Sequence, residues 1–319
     1  MKLGQIYKTA IAKGIAVDPR GKKEVTLALK RVKEDYEDLK KDLKSEFDKE
    51  KLSNPYADSR VLYGSLQTEV KRILVGIDME VGEVLLADRL GKKNKKIDLI
   101  LAHHPEGSAL AGLYSVMNMQ SEILHKFGVP INVAESLMSS RIGEVRRGLL
   151  PINHTRAVDA ARILDIPFMN IHTPADNCVT DHLQTLINTK KPALVGDVVK
   201  LLKHIPEYKD AVSNNAGPTI VAGHDKRKAG KVFVEMTGGT EGSKDVFDKI
   251  SAAGVGTLIC MHLSEDRIKK AKAAHINVII AGHIASDNIG VNIILDELQK
   301  KDRKLEIIPC SGFRRVKRS

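Results

Sequence analysis

Cysteine is scarce in this chain: Cys178, Cys260 and Cys310 are the only three among 319 residues, and no two of them form a C-x-x-C pair. That argues against a disulfide framework and against a thiolate zinc site, and it fits a reducing compartment. Aromatic residues make up only 4% of the chain, which leaves few platforms on which bases could stack. Basic residues are dispersed apart from Lys92-Lys93-Asn94-Lys95-Lys96 and Arg314-Arg315-Val316-Lys317-Arg318, so nucleic acid is not expected as the main partner. Also missing is any apolar run near the roughly 20 residues that cross a bilayer. Met1-Lys2-Leu3-Gly4 leads into mixed polar sequence rather than a signal-peptide core, and the expected location is cytoplasmic, with no membrane partner.

What is present is a globular composition, 42% hydrophobic, long enough for two packed domains. The net charge of +11 is compatible with acidic partners, whether phosphate-bearing ligands, nucleic acid or an anionic surface, and does not by itself choose among them. Three histidine clusters follow short apolar runs: Ile97-Asp98-Leu99-Ile100-Leu101-Ala102 leads to His103-His104, Ile166-Pro167-Phe168-Met169-Asn170-Ile171 to His172 and Asp176, and Asn277-Val278-Ile279-Ile280-Ala281 to His283 and Asp287. Each run has the length and β-branched content of a buried strand. Functional groups in open α/β sheets collect just beyond the carboxyl ends of strands. The alternation of strand and helix signals from Val70 onward, and again from Thr219, predicts parallel sheets.

Between Lys22 and Leu52, the residues Val25, Leu29, Val32, Tyr36, Leu39, Leu43 and Phe47 step by four and three. This predicts one long amphipathic helix, packed on its own domain or paired between subunits as a coiled coil. A second helix is expected to start at Asp176 or Asn177, either of which can cap it.

Successive side chains of a strand point to opposite sides, so His103 and His104 suit two different ions. His172 with Asp176, and His283 with Asp287, stand four residues apart and share a face where the backbone is helical. Nitrogen and oxygen donors of this kind suit a pair of divalent ions, with Zn, Fe, Mn, Co or Ni all admissible. His125, His154, His182, His204, His224, His262 and His275 lack such partners and read as structural or surface residues. Cys178, near a helix start, is a minor candidate nucleophile. Thr237-Gly238-Gly239-Thr240-Glu241-Gly242 lies between strand and helix, where it forms a tight turn or a phosphate-binding edge of the site.

At these residues the chain resembles the NGG-one-interacting-factor-three-like family, whose members are often labelled GTP cyclohydrolase I type 2-like. The resemblance is carried by Asp58-Ser59-Arg60-Val61-Leu62-Tyr63-Gly64, Leu101-Ala102-His103-His104-Pro105, Ile171-His172-Thr173-Pro174-Ala175-Asp176, Glu235-Met236-Thr237-Gly238-Gly239 and Ala281-Gly282-His283-Ile284-Ala285-Ser286-Asp287, within residues 56–310. It implies a two-lobed α/β fold with mainly parallel sheets flanked by helices and a metal site between the lobes. It also implies two divalent transition-metal ions on His103, His104, Asp176, His283 and Asp287, with His172 as an acid/base group beside them, and a homo-oligomer of six chains. Asp287 stands where the family usually has a glutamate, and Glu106 where an apolar residue is common. The expected organisation is a helical extension over 1–55, lobes over 56–190 and 191–310, and a basic tail over 311–319. Two functions compete: a metal-dependent hydrolase of a nucleotide or other anionic small molecule, and a non-catalytic, metal-holding oligomeric scaffold.

Overall fold

Alternating apolar side chains within each short strand build two sheets that are covered on both faces. The computed structural model describes residues 1–318. The first sheet contains β1 (Val61–Tyr63), β2 (Arg72–Gly76), β3 (Leu99–Ala102) and β4 (Phe168–Asn170), and the second contains β5 (Thr219–Ala222), β6 (Lys231–Glu235), β7 (Val255–Cys260) and β8 (Asn277–Ile280). A last strand, β9 (Glu306–Pro309), returns to the first sheet. The strand orders are β1-β4-β3-β2-β9 and β5-β8-β7-β6. All neighbours run parallel except the edge strands β1 and β5. The expected α/β architecture with mainly parallel sheets flanked by helices is therefore observed.

Period-two burial explains how each sheet is covered. Ile73 and Val75 of β2 with Leu99 and Leu101 of β3 face one cluster, while Leu74, Ile100 and Ala102 face another. In the second sheet Leu258 and Val278 point one way and Ile259 and Ile279 the other. Two long helices, Thr173–Lys190 and His283–Lys301, form a layer shared by both sheets. Ala175 and Cys178 serve the first core while Val179, Leu183 and Ile187 serve the second; similarly Val291 and Leu295 face the first and Ile289 the second. The helices cross so closely that a Cβ on Gly290 would stand 2.2 Å from the Ala175 carbonyl oxygen.

Three expectations are corrected. The N-terminal segment is not wholly an extension: helix Leu3–Ala16 buries Leu3, Ile6 and Ala10 in the first core. The expected single helix over Lys22–Leu52 is three pieces, Lys22–Asp38, Lys41–Glu46 and a 3-10 turn Lys49–Leu52. Only Val25 of its first piece is buried, so no partner surface keeps the stripe straight. The chain bends through extended Leu39 and Lys40 and brings the Tyr36 and Phe47 rings to 4.8 Å. The expected lobe over 191–310 also gives up its end, because β9 pairs with β2 after the long helix crosses back. The basic tail is folded down: Arg314 pairs with Asp210, Arg315 with Asp296 and Arg318 with Glu207. Among the described residues no helix is long and apolar enough to cross a membrane.

Candidate metal centre

Parallel pairing sets the carboxyl ends of β3 and β4 side by side, and the packing of the two sheets brings the end of β8 to them. His103 and His104 follow β3, His172 precedes the first turn of helix Thr173–Lys190, and His283 opens helix His283–Lys301. That first helix starts three residues before the expected Asp176, with Pro174 in its first turn, because Pro is accommodated where no intrahelical N–H is needed. The early start places Asp176 one turn beyond His172, their nearest side-chain atoms 3.8 Å apart.

Each imidazole of the first two clusters is oriented from behind. His103 donates Nδ1–H to the Ile171 carbonyl at 3.0 Å, His104 points Nδ1 at Asp78 at 2.6 Å, and His172 points Nδ1 at Asp58 at 2.8 Å. Carbonyl and carboxylate oxygens only accept, so the three Nε2 atoms present lone pairs to the interior when the rings are neutral. There they meet more acceptors: His103 Nε2 lies 3.5 Å from Asp176 Oδ1 and 3.4 Å from Asp287 Oδ1. Asp287 Oδ2 lies 3.5 Å from His104 Nε2 and 3.7 Å from His283 Nε2. His103 Nε2, Asp176 Oδ1 and both Asp287 oxygens are buried and make no hydrogen bond. Buried acceptors facing one another without a donor are costly unless a cation lies between them. The donor set thus fits a metal ion, and backing of ligand imidazoles by carboxylate or carbonyl oxygens is the usual support of such sites.

Three overlapping groups have ligand atoms within 4.8 Å of one another: His103, His104 and His172; His104, His283 and Asp287; and His103, Asp176 and Asp287. All six site residues expected from the sequence are thus brought together, with His172 near enough to be a ligand itself. Burial would raise the Asp287 carboxyl, but the surrounding imidazoles of His103, His104 and His283 hold it far below the usual range. Burial pushes Asp176 up to about 6 against the pull of His172 and His103. For His172 burial acts downward, yet the Asp176 and Asp58 carboxylates push it up to about 9.

The site opens into a cavity of about 380 Å³ whose lining includes His104, His172 and His283. Four further side chains of the site were not expected from the sequence: Asp58, Asp78, Glu235 and His262. His262, read as structural or surface, lies with its ring centroid 4.8 Å from His283 and its Nδ1 3.1 Å from Glu241. It follows β7 as the other histidines follow their strands, and Asp78 likewise follows β2; that position was the available signal. Asp58 and Glu235 stand in motifs that carry the family resemblance, but nothing local assigns either a place in the site, and the partner of Asp58, His172, is 114 residues away. His125, His154 and His204 bond to nearby backbone carbonyls, and the expected structural role stands for them. Cys178 is buried and its thiol is pushed up to about 12 by desolvation, so the nucleophile reading is overturned.

The loop Thr237–Gly242 edges the cavity, with Gly238 and Gly239 at φ 95° and 88°, a backbone that favours glycine. Gln120 Nε2 pins it by donating to the Gly238 and Thr240 carbonyls, each at 2.7 Å. Its Glu241 accepts from the Ser264 N–H and pairs with Arg267.

No family model matches this chain, and no curated protein does. Among solved structures, a NIF3 superfamily protein from Sphaerobacter thermophilus superposes with a TM-score of 0.70 at 29% identity, covering 81% of this chain and 92% of that one. This likeness supports the NIF3 superfamily as the family of this fold. The reduced HcgD protein from Methanocaldococcus jannaschii shares the fold at a TM-score of 0.53 and 15% identity, over 84% of this chain and 94% of that one. Among the described residues, the histidine and aspartate groups given above are the ones that could hold a metal ion.

Proposed function

We propose that this protein is a dinuclear metal-dependent hydrolase, GTP cyclohydrolase-like, acting on a nucleotide or other anionic small molecule. The observation that carries the reading is Asp287, whose two buried, unpaired oxygens face His103 on one side and His104 with His283 on the other. Asp287 with His103 and Asp176 would hold one ion, and Asp287 with His104 and His283 a second. Bound divalent ions would acidify a water near neutral pH and polarise the bond under attack. The chain's own part is to orient and to move protons. His172, with Asp58 behind its Nδ1 and Nε2 on the cavity side, is the group placed to take up and return a proton. An anionic group would face the ions, since Glu106, Glu235 and Glu241 line the cavity against a single guanidinium, Arg267.

Elemental analysis of protein purified without chelator tests the reading, with about two transition-metal ions per chain expected. Asp287→Asn should deplete both ions and His283→Ala mainly one. Content well below one per chain, not restored by Zn, Mn or Fe, refutes it. Hydrolysis is then sought on a panel of nucleotides and phosphoesters with matched metal loading. Activity surviving in Asp287→Asn would belong elsewhere.

Assembly into a homo-oligomer, six chains by the family resemblance, belongs to the same reading. It is supported by apolar side chains left at the surface, among them Ile163 at 77% and Leu150 at 70% exposure. The scaffold reading draws on the projecting helices over 22–46, whose stripe the rest of the chain leaves largely uncovered.

A further inference from the structure

The cavity beside the histidines is also lined by side chains that the metal chemistry does not use. Part of its wall is apolar, with Leu110 and Leu113 from helix Gly107–Val116 of the first lobe and Val246 and Phe247 from the second. Glu235, the last residue of β6, faces this space. Among the described residues no group donates a hydrogen bond to its carboxyl; Glu241, Arg267 and His262 act on it only through space. Those two cationic or donor groups are already engaged, because Arg267 stands 2.9 Å and His262 3.1 Å from Glu241. Arg267 further donates to the Gly242 carbonyl. The Glu235 side chain is only half-buried, so its unpaired carboxyl is open to whatever occupies the cavity. Burial, with Glu241 adding to it, pushes this one up to about 7.

We propose that Glu235 is the specificity-determining residue of the cavity, accepting two adjacent N–H donors from the edge of a flat heterocyclic ligand whose body lies on the wall of Leu110, Leu113 and Phe247. Two carboxylate oxygens match two neighbouring donors bidentately. A phosphate beside Glu235 would meet Glu241 as well, with Arg267 and His262 already committed to that carboxylate, so the donor-bearing ring belongs here and any anionic group at the ions. A cavity of about 380 Å³ is within the small-molecule range. The proposal rests on the hydrolase reading only in that the same molecule would reach the ions.

The test uses the full chain at pH 8, where the Glu235 carboxyl is ionised, and calorimetric titration with guanosine and with N1-methylguanosine. Guanosine presents a ring N–H beside an amino group; the methylated nucleoside has lost the ring donor and blocks the approach. Guanosine is expected to bind at least about tenfold more tightly. Glu235→Gln should lose at least about tenfold of the guanosine affinity and most of that preference, with metal content unchanged. Equal binding of the two nucleosides, no binding of guanosine, or wild-type affinity in Glu235→Gln overturns the proposal. Should the variant fold poorly, the wild-type comparison decides alone. Metal analysis of the same wild-type sample judges the hydrolase reading separately, because the titration requires no turnover.

Discussion

Gly290→Ala probes the crossing on which the whole centre depends. Gly290 lies one turn beyond Asp287, and the Ala175 it touches is the neighbour of Asp176. The new Cβ would stand 2.2 Å from the Ala175 carbonyl oxygen and 2.7 Å from its carbon. Ordinary contact requires roughly 1 Å more, and what must give is helix backbone rather than a side-chain tip. Overpacking of this kind costs about 1–3 kcal/mol, while replacing helical glycine by alanine returns at most about 1 kcal/mol. The balance is a loss of about 1–2 kcal/mol, a fall of roughly 2–6 °C in Tm. Because the two helices carry Asp176 and Asp287, their separation should also lower metal content. Gly148→Ala is the control: nothing stands within 4 Å of its added Cβ, so Tm should hold or rise slightly. Thermal melts followed by circular dichroism, with elemental analysis of each variant, give both readings. If Gly290→Ala melts at or above wild type with full metal content, the close crossing does not set the geometry of the site.

Burial pushes the Glu235 carboxyl up to about 7 in the fold from the ordinary 4.5, so the folded chain holds more protons than the unfolded between those pH values and stability falls as pH rises through them. Glu235→Gln should therefore raise Tm at pH 8 and change it little at pH 5; an equal change at both would refute the cause. Thiol labelling of the native protein should modify Cys310 first, since Cys178 and Cys260 are buried and their thiols are pushed up by desolvation. Rapid labelling of Cys178 before unfolding would contradict its placement between the cores. Light scattering is expected to give a mass above the 35.1 kDa of one chain, reduced by Leu150→Lys combined with Ile163→Lys. A monomeric wild type would refute the assembly.

Much of the centre was legible because it is built on local signals. A short β-branched run ending in histidine predicts a strand and the end at which its function lies, and in a parallel sheet those ends must gather on one side. His103, His104, His172, Asp176, His283 and Asp287 were recoverable on that ground, and the parallel architecture on the alternation of strand and helix. The spacing of His283 and Asp287 also held locally, because both lie in one helical turn. The heptad stripe over 22–52 misled because periodicity records which residues could share a face, whereas a continuous helix also needs something to cover that face.

Other features depend on contacts between segments distant in sequence. Asp58 reaches His172 across 114 positions and Gln120 reaches Gly238 across 118, and no spacing rule spans such intervals. The joining of β9 to the first sheet, the burial of Leu3 and Ile6, and the exposure of both Asp287 oxygens to imidazoles from different lobes follow from how two helices pack between two sheets. Chemistry local to a strand end is written in neighbouring residues; the pairing of donors across the interior is set by close packing, where a clash of an ångström decides which groups can meet.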